Sequence, residues 1–309
     1  MNKVLAQGNA AQAAIIFVVV VLLWGSSFMA VKTCLVHWSV VQVVAGRYVL
    51  GAMLLLPLAI KACAAQGALY KKHAIPIVHL ALVGSVLPVG LMTWAQQSIP
   101  SSFAGVIASL APMMALIAGV VLYGLPWRVL HWLGVVLGTC GVAALRWVGD
   151  GTGTSGLSGA HGNVSGSALA AALFATMCWG LAAQNYRRNL SQLDPLHVTA
   201  LSFQVMALAM LMVLLVQADT PSMRSHISWL PVLYLLALAL FSVVAVTGYN
   251  WLIARWGAVN ASSCTYMVPL VALGWGYADA EPVGWNVALA CALIAAAMWA
   301  VRQPVQIER

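Results

Sequence analysis

The chain has 309 residues, of which 63% are hydrophobic and 6% are charged, and its formal net charge is +8. So few polar side chains cannot cover the surface of a soluble globule of this size, which excludes an ordinary soluble protein. A bilayer core of about 30 Å needs roughly 20 helical residues per crossing. Apolar stretches of that length account for nearly the whole chain, so we predict an all-α polytopic membrane protein.

Ten transmembrane helices are expected in chain order. The predicted spans are residues 13–32, 39–60, 74–96, 101–123, 128–146, 164–186, 195–217, 229–254, 258–277 and 284–301. The first five form one predicted repeat over residues 13–147, and the last five form a second over residues 164–301. Residues 148–163 are rich in glycine and serine, which is typical of a flexible extracytoplasmic linker. Residues 302–309 form the predicted cytoplasmic tail.

The positive charges follow the positive-inside rule rather than a nucleic-acid surface. With the N-terminus inside, one face of the membrane receives Lys3, Lys61, Lys71, Lys72, Arg128, Arg187, Arg188, Arg255, Arg302 and Arg309. The other face receives only Lys32, Arg146 and Arg224. We therefore expect both termini to be cytoplasmic and expect no nucleic-acid partner.

Two halves of the chain resemble each other at a nearly constant offset. The matched residues are Trp24 with Trp179, Lys32 with Arg187, Trp94 with Trp251, Pro112 with Pro269 and Arg146 with Arg302, at spacings of 155, 155, 157, 157 and 156. Five helices per half is an odd number, so the second copy must enter the membrane from the opposite side. Inverted repeats of this kind are a recurrent design of secondary transporters, which use them for alternating access.

Arg47 is the one formally charged side chain well inside a predicted span. A cation at that depth costs several kcal/mol unless it faces protein, water or a counter-charge, so we expect it to point into the bundle. Two interpretations stay open: an anchor for a substrate carboxylate, and a structural arginine that binds backbone carbonyls where the first helix loosens around Gly25. The second is slightly favoured, because none of the six acids falls within a span.

The absence of acids from the spans also bears on energy coupling. Proton- and sodium-coupled carriers commonly place a carboxylate at membrane depth. Carboxylate-linked proton coupling is therefore disfavoured, which leaves facilitated diffusion, exchange or coupling through another group.

Polar and aromatic residues within the spans are candidates for a substrate cavity. They are Trp24, Ser27, Arg47, Trp94, Gln96, Ser109, Trp179, Gln204, Tyr249, Asn250 and Tyr266. For Trp24 and Ser27, helix packing is an equally good interpretation. Such a wall suits a small, partly apolar solute better than a sugar phosphate, which needs several basic groups.

Four residues are predicted hinges. Gly25 and Gly180 permit close helix approach or local unwinding, and Pro112 and Pro269 break the backbone hydrogen-bond ladder at equivalent places. A kink is more plausible at the two prolines than direct contact with substrate.

Together, several motifs resemble the EamA-type branch of the drug/metabolite transporter superfamily. They are Leu23-Trp24-Gly25-Ser26-Ser27-Phe28, the Arg47-Tyr48 pair, the helices with Pro112 and Pro269, and the five-plus-five layout. The resemblance implies a carrier of the bacterial inner membrane with a cavity lined by helices 1, 3, 4, 6, 8 and 9. By position, it assigns Trp24, Ser27, Trp94, Ser109, Trp179, Tyr249 and Tyr266 to that cavity, and Arg47 matches a family arginine.

We interpret the chain as an exporter of small organic metabolites, with amino acids or related compounds as the first candidates. Import or exchange of another small solute is the alternative. A membrane-embedded enzyme is disfavoured, because no aspartate-rich diphosphate motif and no nucleophile with a histidine at matching depth is present. A lipid scramblase or a purely structural partner is disfavoured as well. We expect no metal and no cofactor, and the partners are the solute and membrane lipid.

Overall fold

The structure is a computed structural model that describes residues 2–124, 165–216 and 229–278, with scattered positions between 133 and 141 and between 288 and 299. Side chains are described from Ala11 onward. Most of the predicted spans 128–146 and 284–301 lies outside the described residues. The predicted linker at 148–163 and the tail at 302–309 also lie outside them.

Four helices form the first half of the described chain. They are α1 at Asn2–Leu35, α2 at Val40–Lys72, α3 at Ala74–Ala95 and α4 at Ser101–Tyr123. Helix α3 contains a π-helical turn at Leu82–Val86, and α4 is interrupted at Ser109 and Leu110.

Four helices follow in the second half. They are α5 at Gly166–Leu190, α6 at Pro195–Val216 and α7 at Trp229–Trp256, then α8 in three pieces. These pieces are an α-helix at Ala258–Ala261, a 3₁₀ helix at Ser262–Tyr266 and an α-helix at Val268–Ala278. Helix α5 ends in a π-helical turn at Tyr186–Leu190.

Among the described residues, seven helices, α1 to α7, are long and apolar enough to cross a membrane. They coincide with the predicted spans one to four and six to eight, and α8 occupies the ninth. Two helices extend beyond the predicted spans, since α1 begins at Asn2 and α2 continues to Lys72. The alanine-rich sequence after residue 60 favours helix whether or not lipid surrounds it, and α2 bends there at Gln66.

The ninth span is not one continuous helix, and its sequence explains why. The Ser262 hydroxyl donates to the Ala258 carbonyl at 2.8 Å, and the Thr265 hydroxyl donates to the Ser262 carbonyl at 2.7 Å. Such short side-chain bonds compete with the helical ladder, and Pro269 cannot donate to it at all.

A capping box begins α2. The Gln42 backbone N–H donates to the Ser39 hydroxyl at 3.3 Å, and the Ser39 backbone N–H donates to the Gln42 side chain at 2.9 Å. These reciprocal bonds satisfy two donors that a helix start would leave unpaired. Gln42 therefore caps a helix.

Helices of the first half pack against helices of the second half in matching pairs. Helix α1 lies along α7 and α3 lies along α5, while α2 lies along α6. Helix α4 contacts both α5 and α8, and α8 also contacts α1. Exchanging α1 to α4 with α5 to α8 in order leaves this set of contacts unchanged.

One end of the bundle, which we call the basic end, carries exposed basic side chains. They are Lys71, Lys72, Arg187, Arg188 and Arg255. Helix α5 ends there, where Nδ2 of Asn185 donates to the Pro76 carbonyl at the start of α3 at 3.0 Å. Helix α1 passes through this end near its start, because the Phe17 ring lies 6.3 Å from the ring of Trp256. Helices α1 and α5 therefore run in opposite directions.

The halves approach each other closely at two glycines. A methyl group at Gly25 on α1 would lie 2.4 Å from Cβ of Val271 on α8. A methyl group at Gly180 on α5 would lie 2.5 Å from the Ala115 nitrogen and 2.6 Å from the Met114 carbonyl carbon on α4. Gly25 and Gly180 are 155 residues apart and Met114 and Val271 are 157 apart, so the two contacts are equivalent.

We expect Gly180→Ala to destabilise the protein, because the added methyl meets backbone atoms that cannot rotate away. Overpacking of this kind costs about 1–3 kcal/mol, which thermal unfolding in detergent reports as a lower Tm. Gly90→Ala is the matched control, since no atom lies within 4 Å of that methyl. Equal Tm values for the two variants would contradict the close α4–α5 contact.

Candidate functional site: a central cavity

A cavity of about 130 Å³ lies in the middle of the bundle, with walls from α1, α2, α3, α4, α5, α7 and α8. A single water needs roughly 10–15 Å³ by the same measure. The cavity therefore has room for a small organic solute and is larger than one water or one bare ion requires. Its wall is mostly aliphatic and aromatic, with hydroxyl and amide groups at intervals and one cation.

The wall is built from equivalent positions of the two halves. Ten pairs border the cavity, namely Trp24 and Trp179, Ser27 and Ala182, Phe28 and Ala183, Ser85 and Ser242, Val89 and Val246, Met92 and Tyr249, Thr93 and Asn250, Gln96 and Ile253, Ala108 and Thr265, and Ala111 and Val268. The offset is 155 residues between α1 and α5, and 157 between α3 and α7 and between α4 and α8. The frame is duplicated, whereas the side chains differ in most pairs.

Arg47 departs from this pairing. It borders the cavity from α2 and is 8% exposed. Its Nε–H donates to the Ser242 hydroxyl of α7 at 2.7 Å, and that hydroxyl donates to the Leu238 carbonyl. Within the described part of the chain, no acceptor is recorded for its two terminal NH2 groups. They remain available to an anionic group in the cavity.

Asp194 is the one acid whose side chain the structure describes, and it lies at the basic end rather than beside Arg47. Its Oδ1 accepts from the backbone N–H of Leu196 at 2.8 Å and of His197 at 3.1 Å, which caps the start of α6. Among the described residues, the Arg47 guanidinium is therefore held by a hydroxyl group and by no carboxylate.

Aromatic rings form the apolar part of the wall. The Trp24 and Tyr249 ring centroids are 4.8 Å apart with planes tilted by 59°, and Trp179 contributes from α5. Such a surface accommodates an apolar or aromatic body, while Arg47 offers paired N–H donors to an acidic group.

Two wall amides are held in place by hydrogen bonds. Nε2 of Gln96 donates to the Phe28 carbonyl at 2.9 Å, which joins α3 to α1. Nδ2 of Asn250 donates to the Thr199 hydroxyl at 3.1 Å, which joins α7 to α6. These bonds orient polar groups that would otherwise be costly to bury.

Seven of the eleven predicted cavity residues border the cavity. They are Trp24, Ser27, Arg47, Gln96, Trp179, Tyr249 and Asn250. Their contact with a substrate stays a prediction.

The other four predicted residues lie elsewhere. Trp94 is 43% exposed on the outside of α3, and Nε2 of Gln204 donates to the Ala52 carbonyl at 3.0 Å between α6 and α2. The Ser109 hydroxyl bonds at 2.6 Å to a carbonyl one turn earlier, and Tyr266 closes the 3₁₀ segment of α8. Position along a span does not reveal which face of the helix points inward.

The four predicted hinge residues lie at close contacts or interruptions. Gly25 and Gly180 are the two glycines at which the halves meet. Pro112 follows the interruption of α4, and Pro269 follows the turn before the last segment of α8. Movement at these positions stays a prediction.

The sequence analysis did not identify five of the polar wall residues: Tyr48, Ser85, Thr93, Ser242 and Thr265. The repeat could have identified two of them as equivalent positions, because Ser85 and Ser242 are identical residues at the 157-residue offset. Tyr48 follows Arg47 directly, and its ring centroid lies 5.9 Å from the Arg47 guanidinium carbon.

The sequence matches the EamA-like transporter family twice, over residues 11–147 and over residues 166–303. The chain belongs to the EamA-like transporter family. The resemblance inferred from the motifs is thereby confirmed. Membership indicates an integral membrane transporter with a small-molecule substrate and a lipid environment, rather than an enzyme.

Relatives and a solved structure agree with this assignment. The uncharacterized inner membrane transporter YedA of Escherichia coli strain K12 is 24% identical over 266 residues, which cover 82% of this chain and 78% of YedA. The YedA proteins of strains O6:H1 and O157:H7 match equally well. A solved crystal structure, described only as that of a protein, shares the fold with a TM-score of 0.62 at 20% identity, covering 94% of this chain and 96% of that one.

The described part of this family member contains no cluster of three His, Cys, Asp or Glu side chains that could hold a metal ion. The polar chemistry of its cavity comes instead from hydroxyl groups, amides and Arg47.

We expect Ser242→Ala to destabilise the protein by about 1–3 kcal/mol, because Arg47 Nε–H loses its buried acceptor. Ser202→Ala is the control, since it removes a buried hydroxyl that has no hydrogen-bond partner among the described residues and leaves the Arg47 bond in place. Thermal unfolding in detergent is the measurement. A loss of Tm in Ser202→Ala as large as that in Ser242→Ala would contradict a specific role for the Arg47 bond.

Proposed function

We propose that the chain is a secondary transporter that exports small organic metabolites, with amino acids or related compounds as the first candidates. It works by alternating access between two inverted five-helix repeats, at residues 13–147 and 164–301, for a total of ten transmembrane helices. The linker at 148–163 is extracytoplasmic and the tail at 302–309 is cytoplasmic.

One observation carries this proposal: ten pairs of equivalent residues border a single central cavity. The two helices that contribute Trp24 and Trp179 run in opposite directions, as an inverted repeat requires. The equivalent glycine contacts of α1 with α8 and of α5 with α4 support the same relation. Two similar halves around a midplane site can expose that site first to one side and then to the other.

The orientation rests on charge. The basic end carries Lys71, Lys72, Arg187, Arg188 and Arg255, which supports its placement at the cytoplasmic face under the positive-inside rule. Both termini are then cytoplasmic. The inner membrane is supported by the description of YedA.

The substrate follows from the balance of the wall. Arg47 offers an anion site, and Trp24, Trp179 and Tyr249 offer an apolar surface of small volume. A compound with one carboxylate and an apolar or aromatic body fits this balance. A phosphorylated sugar fits it poorly, because its charge requires several basic groups.

Flux measurements in liposomes test the proposal. We expect the reconstituted protein to release at least one labelled amino acid or related carboxylate from a panel, and we expect a pH gradient to leave the rate unchanged. Empty liposomes are the control. Flux of no panel member would refute the substrate class, and flux driven by protons would refute the argument from missing carboxylates.

We expect Arg47→Ala to weaken transport of carboxylate-bearing solutes far more than transport of neutral ones. A hydrogen bond to a charged group is worth about 1.5–3 kcal/mol, which corresponds to roughly 10- to 150-fold in KM. Arg47→Lys keeps the charge without the planar pair of donors, so its effect should be intermediate. An equal loss for both solute classes would assign Arg47 a structural role.

A further inference from the structure

Tyr186 is a buried tyrosine whose hydroxyl has no hydrogen-bond partner within the described residues. It is the first residue of the π-helical turn of α5 at the basic end, and it is 0% exposed. Among the side chains and backbone groups that the structure describes, none is a hydrogen-bond partner of its hydroxyl oxygen. Buried polar groups are nearly always paired, so an unpaired one calls for an explanation.

The repeat supplies that explanation. Tyr186 lies 155 residues after Val31, and Val31 borders the cavity on α1. The wall residues one turn before them, Ala182 on α5 and Ser27 on α1, both border the cavity. The cavity therefore continues along α1 past Ser27 to Val31, whereas along α5 it stops short of Tyr186.

Apolar side chains close the cavity at Tyr186. The Tyr186 ring belongs to a buried cluster that includes Ile77, Leu80, Leu190 and Ile253. Leu80 and Ile253 of this cluster also border the cavity, whereas Tyr186 does not, so the cluster lies where the cavity ends on the side of Tyr186.

In the described part of the chain, Nδ1 of His79 and Oγ of Ser202 are also buried without a hydrogen-bond partner. Their repeat counterparts, Leu236 and Ala45, do not border the cavity. Tyr186 is thus distinguished by its place on the duplicated wall and not by burial alone.

A second buried tyrosine at the basic end, Tyr70, has a hydroxyl with a hydrogen-bond partner. Tyr70 on α2 is also buried, but its hydroxyl pairs with Nδ1 of His197 on α6 at 3.0 Å. Tyr70 therefore stabilises the closed arrangement with its hydroxyl, whereas Tyr186 pays a desolvation penalty there.

We propose that Tyr186 is a wall residue of the other access state, in which the basic end is open. In that state, Tyr186 borders the cavity from α5, as Val31 borders it from α1 in the present structure. Its hydroxyl then binds water or a hydrogen-bond acceptor of the substrate. This inference rests on the alternating access proposed above. The unpaired hydroxyl disfavours the closed basic end, so it biases the protein toward opening at that end. The π-helical turn that Tyr186 begins is the kind of irregular helix that recurs at functional sites.

Thiol labelling in vesicles tests the proposal. A full-length chain with Ala183→Cys, in a background whose native cysteines are replaced by alanine, reports access to the α5 wall from either face. Tyr186→Phe removes the hydroxyl at nearly constant volume. We expect it to slow labelling from the basic end by about 5- to 150-fold, the range expected when a buried unpaired hydroxyl is relieved.

Tyr70→Phe is the matched control, because it removes a hydroxyl that has a partner in the closed arrangement. We expect labelling from the basic end to stay the same or to accelerate in that variant. Labelling that is unchanged or faster in Tyr186→Phe would overturn the inference about Tyr186.

The two proposals fail in different ways. If the Ala183→Cys thiol reacts from one face only in otherwise unchanged protein, alternating access itself fails. If it reacts from both faces and Tyr186→Phe has no effect, alternating access stands and the role of Tyr186 fails. As a check on folding, Tyr186→Phe should unfold at the same or a higher temperature.

Discussion

Inside a bilayer, no water is available to bond the polar groups of a broken helix, so irregular backbone persists only where protein or a cavity surrounds it. Both interruptions obey this constraint. The turn at Ser109 and Leu110 in α4 and the turn at Met267 in α8 each lie between residues that border the cavity. The cavity and the interrupted helices are therefore one feature of the fold. The close contacts at Gly25 and Gly180 pack α1 and α5 against these same two helices.

The same constraint governs Arg47. A guanidinium at this depth needs donors and acceptors from the protein, and Ser242 supplies an acceptor from the opposite half of the chain. One interaction thus links α2 to α7 and turns the cation toward the cavity. The structural bond uses the Nε–H, whereas the proposed binding of a solute carboxylate would use the NH2 groups, so the two roles do not exclude each other.

The two halves share the same helix arrangement, but they place different side chains at most equivalent positions of the cavity wall. Equivalent positions carry Met92 and Tyr249, and Arg47 has Gln204 as its counterpart, whose amide instead bonds to a backbone carbonyl. A perfectly symmetric cavity would present the same surface to both sides of the membrane. Under the alternating access proposed above, these differences would let the two access states bind a solute unequally. The Tyr186 hydroxyl, which has no partner among the described residues, would add a bias between those states.

The sequence by itself determined the membrane character, the existence of the helices and the correspondence of the halves. These depend on the length and apolar content of local segments and on the regular offset between matching residues of the two halves. All of these can be recognised in the sequence alone. It did not show that α2 continues past the predicted span to Lys72, since alanine-rich sequence favours helix with or without surrounding lipid. Only the tertiary structure decided which polar side chains meet. Trp94 and Trp24 are both tryptophans within predicted spans, yet one lies on the outer surface and the other on the cavity wall. The physical reason is that the inward face of a helix is set by the neighbours it packs against, and those neighbours lie far away in sequence.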